Sequence, residues 1–164
     1  MTLENPAMSA VFAANDGNEI MRTGLLLGGR KVLKQLPATE LEAHDLIQQG
    51  LPGQALNHLV DHLLVIKGSR SFEHAFGLSL RTYQRRKAEP AKQLDVDQSS
   101  RTWRFAKILA KAIEIFGSQE RAEQWLDSPA TALDRRKPID LLTTHEGVGL
   151  VETLLTRLEY GVYT

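Results

Sequence analysis

Between Ser100 and Phe116 the apolar residues Phe105, Leu109, Ala112 and Phe116 recur at spacings of 4, 3 and 4. Trp103, Ala106, Ile108 and Ile113 widen the same stripe. That period belongs to a helix with one buried face, and Gly117 supplies its stop. The pattern repeats along the chain. Thr39 and Glu42 form a capping box, and Gly50 closes the helix between them. Pro52 opens a helix to Leu64 that carries Leu56, Leu59, Val60, Leu63 and Leu64 on one face. Ser118 caps a shorter helix with Ala122, Trp125 and Leu126, stopped by Ser128-Pro129. Pro138 opens a short piece through Leu142, and Thr143 with Glu146 makes a second capping box before Val148, Val151, Leu154, Leu155 and Leu158. No segment alternates with the two-residue period of a strand, so the predicted fold class is all-α.

Several function classes fall away on composition. With no cysteine there is no thiolate zinc site, iron–sulfur cluster, thiol nucleophile or disulfide. The apolar stretches are only a few residues long, too short to cross a bilayer. Glu4, Asp16 and Glu19, without a basic start and a long apolar stretch, argue against a secretory signal. The expectation is a cytoplasmic protein with no membrane partner. The formal net charge of zero argues against nucleic acid only until it is divided. Residues 67–111 hold 11 basic and 4 acidic side chains, against 4 and 7 in residues 1–66 and 5 and 9 in residues 112–164. Phosphate attraction is screened beyond roughly 8–10 Å, so a local positive block is enough to bind a polyanion.

That block contains Phe76-Gly77-Leu78-Ser79-Leu80-Arg81-Thr82-Tyr83-Gln84-Arg85-Arg86-Lys87. A short helix, a glycine turn and a second polar helix is the helix-turn-helix plan. Gly77 makes the left-handed turn, Leu78 plugs the space between the helices, and Ser79 caps the second one, whose Leu80 and Tyr83 face inward. Ser79, Arg81, Thr82, Gln84, Arg85 and Lys87 are the candidate DNA-binding residues: Arg reads guanine, Gln reads adenine, and hydroxyls near a helix start bond phosphate. The competing reading is a basic, solvated helix face. Glu73 stands where a small residue usually lets the two helices close.

Other constellations are weaker. His58 and His62 share a helix face, but Leu59 stands where a metalloprotease carries Glu, and His44, His74 and His145 lack third-ligand spacing. Gly24-x-x-x-x-Gly29-Arg30-Lys31 misses the Lys-Ser/Thr order of a phosphate loop and follows no strand. No carboxylate pair or Ser/His/Asp set has catalytic spacing. The chain is therefore expected to be no enzyme, with no catalytic residue, metal ligand or cofactor. Trp103 and Trp125 are expected to pack, and Arg135-Arg136-Lys137 to be a solvated loop. The end of the chain, Tyr160-Gly161-Val162-Tyr163-Thr164, has aromatic anchors and almost no charge, which suits docking into a partner or into its own core.

From Gly50 to Thr164 the sequence resembles the Xre/MbcA/ParS-type antitoxins that pair with RES-domain toxins. The matching stretches are Gly50-Leu51-Pro52, Ser79 to Arg86, Ile115-Phe116-Gly117, Ala122 with Trp125-Leu126, and Ser128-Pro129 with Ala132-Leu133. Further on come Lys137-Pro138-Ile139-Asp140-Leu141-Leu142, Gly147, Val151-Glu152 and Glu159-Tyr160-Gly161-Val162-Tyr163. The resemblance implies the antitoxin of a type II toxin–antitoxin module. Its helix-turn-helix binds the operator of its own operon, and a helical domain covers the active site of a toxin that degrades NAD⁺. The organisation then reads as a poorly ordered or loosely packed segment 1–38, a helix-turn-helix region 39–90, a polar linker 91–100 and a toxin-binding domain 101–164. Arg157, Tyr160, Gly161, Val162, Tyr163 and Thr164 are the candidate toxin contacts, with Arg135 and Arg136 further candidates for an acidic toxin surface. A homodimer is expected, because helix-turn-helix proteins read half-sites about 34 Å apart. The alternative is a stand-alone helix-turn-helix regulator without a toxin.

Overall fold

Side-chain caps at the starts of five helices organise the chain. In the computed structural model, which describes residues 19–66 and 70–161, the α-helices are α1 Glu19–Leu26, α2 Arg30–Leu33, α3 Glu40–Gln49, α4 Gly53–Asp61, α5 Arg70–Phe76, α6 Leu80–Lys87, α7 Val96–Phe116, α8 Gln119–Leu126 and α9 His145–Glu159. Two 3₁₀ segments, Thr131–Leu133 and Pro138–Thr143, lie between α8 and α9. Among the described residues extended pairing is confined to the isolated bridges Pro52–Gln93 and Ala130–Arg136, and the fold is all-α. Thr39 accepts from the Glu42 amide at 3.2 Å, while the Glu42 carboxylate reaches one residue past the cap to the Ala38 amide at 2.7 Å. Ser79, Asp95 and Ser118 accept from the amides of Thr82, Gln98 and Arg121.

Three local expectations shift. The cap of α9 is Thr144, which accepts from Gly147, because Thr143 is taken up by the preceding 3₁₀ segment. Pro52 is the N-cap of α4 rather than its first residue, and that helix ends at Asp61. Leu64 therefore leaves the helical face and is 47% exposed.

Residues 19–38 correct the expectation of loose packing; residues 1–18 lie outside the described part. Leu26 and Leu27 are fully buried, Leu33 is buried, and α1 packs along α7. Gly28-Gly29 is a turn that folds α2 back toward α4. Arg22, buried, meets the Glu114 carboxylate of α7 at 2.6 Å. The His58 ring of α4 bonds the Leu26 carbonyl through Nδ1 at 3.1 Å.

The expected linker 91–100 is also corrected. Asp95 caps α7 five residues ahead of the Ser100 start, and Leu94, Gln98 and Ser99 are buried. The Ser99 hydroxyl accepts from the Leu51 amide at 2.8 Å, and the Leu94 amide donates to the Leu51 carbonyl at 2.8 Å, which fixes this stretch to the α3–α4 turn. From there α7 runs through the molecule, packed on α1, α3, α5, α8 and α9. Its Phe105 meets Phe76 at 4.8 Å between ring centroids, and Phe76 meets Phe72 at 4.9 Å. All three rings are fully buried, each contributing about 1.5–3 kcal/mol of hydrophobic stabilisation.

Beyond α7, the two ends of the fold are joined by one carboxylate. Glu123 of α8 has no exposed surface. Its oxygens accept from three successive amides, Leu64, Val65 and Ile66, at 2.9–3.1 Å, and from Gln119 Nε2 at 2.9 Å. Gln119 also donates to the His62 carbonyl at 2.7 Å. Successive amides converging in this way form an anion nest, and α8 fills it with its own side chain. A glutamine there keeps the shape but turns one acceptor into a donor aimed at N–H groups. We expect Glu123→Gln to cost about 3 kcal/mol, a fall in Tm of roughly 6–12 °C for a chain of this size. Thermal unfolding followed by circular dichroism checks this, and an unchanged midpoint would remove Glu123 from the structural role.

Candidate functional site

The glycine turn between α5 and α6 sets the direction of the exposed basic helix. Gly77 has φ +69°, a left-handed backbone conformation that favours glycine, and the Arg101 guanidinium lies over the position an added Cβ would take. Leu78 is buried beneath the turn. Gln98 Nε2 of α7 donates to the Phe76 carbonyl at 3.0 Å and so holds the end of α5. Tyr83, at the centre of α6, is buried with its ring 5.5 Å from Phe72. Its hydroxyl is buried without a hydrogen-bond partner among the described residues. Burial, with Asp61 nearby, pushes that phenol up to about 12, so it stays neutral. Glu73, the departure at the close-approach position, is solvent-exposed; Ser71, Phe72, Ala75 and Phe76 carry the buried face of α5.

The expected reader residues separate into two groups. Arg81, Gln84 and Arg85 are exposed on α6 and form no hydrogen bond or ion pair among the described residues. Arg86 is exposed on the same helix and extends the basic surface beyond the expected set. Ser79 and Thr82 are half-buried and spend part of their hydrogen bonding on the cap: Ser79 Oγ accepts from the Thr82 amide at 3.2 Å and donates to its hydroxyl at 3.0 Å. Lys87 is exposed but pairs with Asp61 at 2.7 Å. Of the expected set, the freely presented groups are thus two guanidiniums and one amide, with the Arg86 guanidinium beside them, side chains with bidentate geometry toward guanine and adenine.

At the other end, the exposed side of α9 carries Leu150, 56% exposed, Arg157 and Tyr160, 76% exposed. Its buried side, Val148, Val151, Leu154 and Leu155, packs into the core. Arg157 borders a shallow groove between α7 and α9 whose floor includes Lys107 and Lys111, and Lys111 bonds the Thr156 hydroxyl at 2.7 Å. Gly161 is exposed just past the helix. Val162, Tyr163 and Thr164 lie outside the described residues. Arg135 and Arg136 are exposed, whereas Lys137 is half-buried and pairs with Asp127 at 3.4 Å. Trp103 is buried; Trp125 is half-buried with its ring 5.2 Å from Phe116.

The His58–His62 pair is committed internally. The rings stack at 4.2 Å, with Nδ1 of His58 on the Leu26 carbonyl and Nδ1 of His62 on the His58 carbonyl. Burial lowers the His58 pKa, and the neighbouring His62 adds to that against the raising effects of the Leu26 carbonyl and Asp61. Among the described residues no three His, Asp or Glu side chains gather as a metal site. The stretch Gly24–Lys31 is a helix end, a turn and the start of α2, without the strand–loop–helix setting of a phosphate loop.

Comparison with known proteins places α6 and α9 in two matched domains. A family model described as the antitoxin Xre-like helix-turn-helix domain matches residues 42–107. One described as the antitoxin Xre/MbcA/ParS C-terminal toxin-binding domain matches residues 111–161. A protein named antitoxin Xre from Pseudomonas putida is 31% identical over 124 residues, covering 76% of this chain and 75% of the relative. Proteins of the same name from Photorhabdus laumondii and Yersinia enterocolitica are each 28% identical, over 118 and 121 residues. These alignments cover 71% and 73% of this chain and 78% and 80% of the relatives. The chain belongs to the Xre antitoxin family, with a helix-turn-helix domain on its N-terminal side followed by a C-terminal toxin-binding domain.

Proposed function

We propose that this protein is the antitoxin of a type II toxin–antitoxin module whose partner is an NAD-degrading RES-domain toxin. It acts by binding, not catalysis: the toxin-binding domain, residues 101–164, covers the toxin active site, and the helix-turn-helix region, residues 39–90, binds the operator of its own operon. The observation that carries this reading is the pairing, in one chain, of an outward-facing helix with unpartnered Arg81, Gln84 and Arg85 and a helical domain matched as toxin-binding. A homodimer in the cytoplasm fits the role, since two reader helices are needed for two half-sites one DNA turn apart.

On the DNA side, Arg81 and Arg85 are the base-reading candidates and Gln84 lies between them. Ser79, Thr82 and Lys87 contribute to the phosphate-facing rim, with Lys87 shared with Asp61. Arg81→Ala or Arg85→Ala is expected to weaken operator binding by about 1–3 kcal/mol while leaving unrelated duplex bound nearly as before. Fluorescence anisotropy on the protein's own promoter measures this, and an unchanged operator affinity would remove that arginine from the reader. On the toxin side, Arg157 and the end Tyr160–Thr164 are the proposed contacts. Removing residues 160–164 is expected to abolish neutralisation of a co-expressed cognate RES-domain toxin in cells, with operator binding retained. Full protection by the shortened chain would move the contact elsewhere on the domain.

A further inference from the structure

Outside the helix-turn-helix itself, a second basic feature starts at its turn and runs up α7. Arg101, Arg104, Lys107 and Lys111 follow one another at three, three and four residues, which keeps them on one side of the helix. Arg101 lies over Gly77, two residues before the Ser79 cap of α6, so its guanidinium sits at the entry to the reader helix. Its Nε is bonded to Asp97 at 3.1 Å. Arg104 is different. It is half-buried and forms no hydrogen bond or ion pair among the described residues. Burial lowers its pKa, Arg101 lowers it further, and Asp97 and Glu152 act in the opposite sense without making a bond. A partly desolvated cation beside a second cation is an unfavourable arrangement for the free protein. An anion arriving between the two guanidiniums relieves it.

We propose that Arg101 and Arg104 form a phosphate clamp for the DNA backbone, set beside the turn of the helix-turn-helix and outside the reader helix. This rests on the DNA-binding reading above and extends it to α7. Three residues of α7 advance about 4.5 Å along its axis, comparable with the roughly 3.4 Å of rise per phosphate on one strand. Two guanidiniums so placed therefore face one or two neighbouring phosphates. Arginine is suited to the role because its planar fork holds phosphate oxygens in a fixed direction, which sets the register of α6 without reading sequence. Position favours DNA over the toxin as the anionic partner, since Arg101 packs directly on the turn that leads into α6.

The test uses the full chain and compares wild type with Arg104→Gln and Arg104→Lys. Arg104 has no bonded partner to lose, so neither variant is expected to lower Tm. Binding to promoter DNA and to an unrelated duplex is measured between about 50 and 200 mM salt. For Arg104→Gln, both affinities are expected to fall by the same factor, and the slope of log K against log salt to lose roughly one unit. Arg104→Lys should restore the slope. If wild type binds no DNA, the underlying reading fails. If it binds and Arg104→Gln has the wild-type slope and affinity, the clamp is overturned. Loss of toxin neutralisation with DNA binding intact would overturn it too, assigning the pair to the toxin.

Discussion

The Glu123 carboxylate is the interaction on which the relation between the two domains depends. It has no solvent contact, and its partners are the amides of Leu64, Val65 and Ile66, which follow α4 in the helix-turn-helix half of the chain. A buried ion is costly unless every lone pair is engaged, and here three amides and the Gln119 side chain engage it. The same geometry satisfies backbone donors that neither helix nor sheet supplies with acceptors. One side chain thus solves two desolvation problems at once, and it can do so only if α8 and the end of α4 are held together.

Two further bonds reinforce that junction from behind α5. Ser71 donates to Asp127 at the end of α8, and His74 meets Asp140 in the 3₁₀ segment Pro138–Thr143 at 2.7 Å. The Pro138–Thr143 segment also packs along α5. The first helix of the helix-turn-helix therefore rests on the toxin-binding domain, and α7, to which the turn is tied through Gln98, belongs to both. The two family models meet within α7, between residues 107 and 111, where the chain is continuous helix. The domains are two by ancestry and share one core by packing.

What the sequence revealed follows from the range of each interaction. The caps at Thr39, Ser79 and Ser118 are local, each satisfied by an amide three residues on, and each was legible as a short motif. So was the turn at Gly77, whose requirements lie within a few residues. Asp95 with Gln98 carried the same kind of capping signal, hidden by the polar residues on both sides that read as a linker. Residues 19–38 were misread for a different reason. A four-residue α2 is too short to show a period, and Gly28-Gly29 reads as loosening until Leu26 and Leu27 are seen to be buried against elements far along the chain. Glu123 was not legible at all. It stands among Gln, Glu and Arg on what reads as a solvated helix, and the amides it binds are 57–59 residues away.

The same distinction applies to the functional surfaces. Of six side chains chosen from the pattern around Gly77, those exposed and without a hydrogen bond or ion pair among the described residues are Arg81, Gln84 and Arg85. Ser79 and Thr82 are drawn into the cap, and Lys87 into the pair with Asp61. A sequence motif states which chemistry a helix carries; folding decides how much of it is left over for a partner. Net charge behaves the same way. The neutral total hides a positive block whose acidic neighbours take up Lys87 and Lys92 in ion pairs and accept a hydrogen bond from Arg101 Nε, while among the described residues the guanidiniums of α6 and Arg104 of α7 are outside any ion pair. Because screening limits each charge to about a Debye length, the partner meets those remaining groups and not the total.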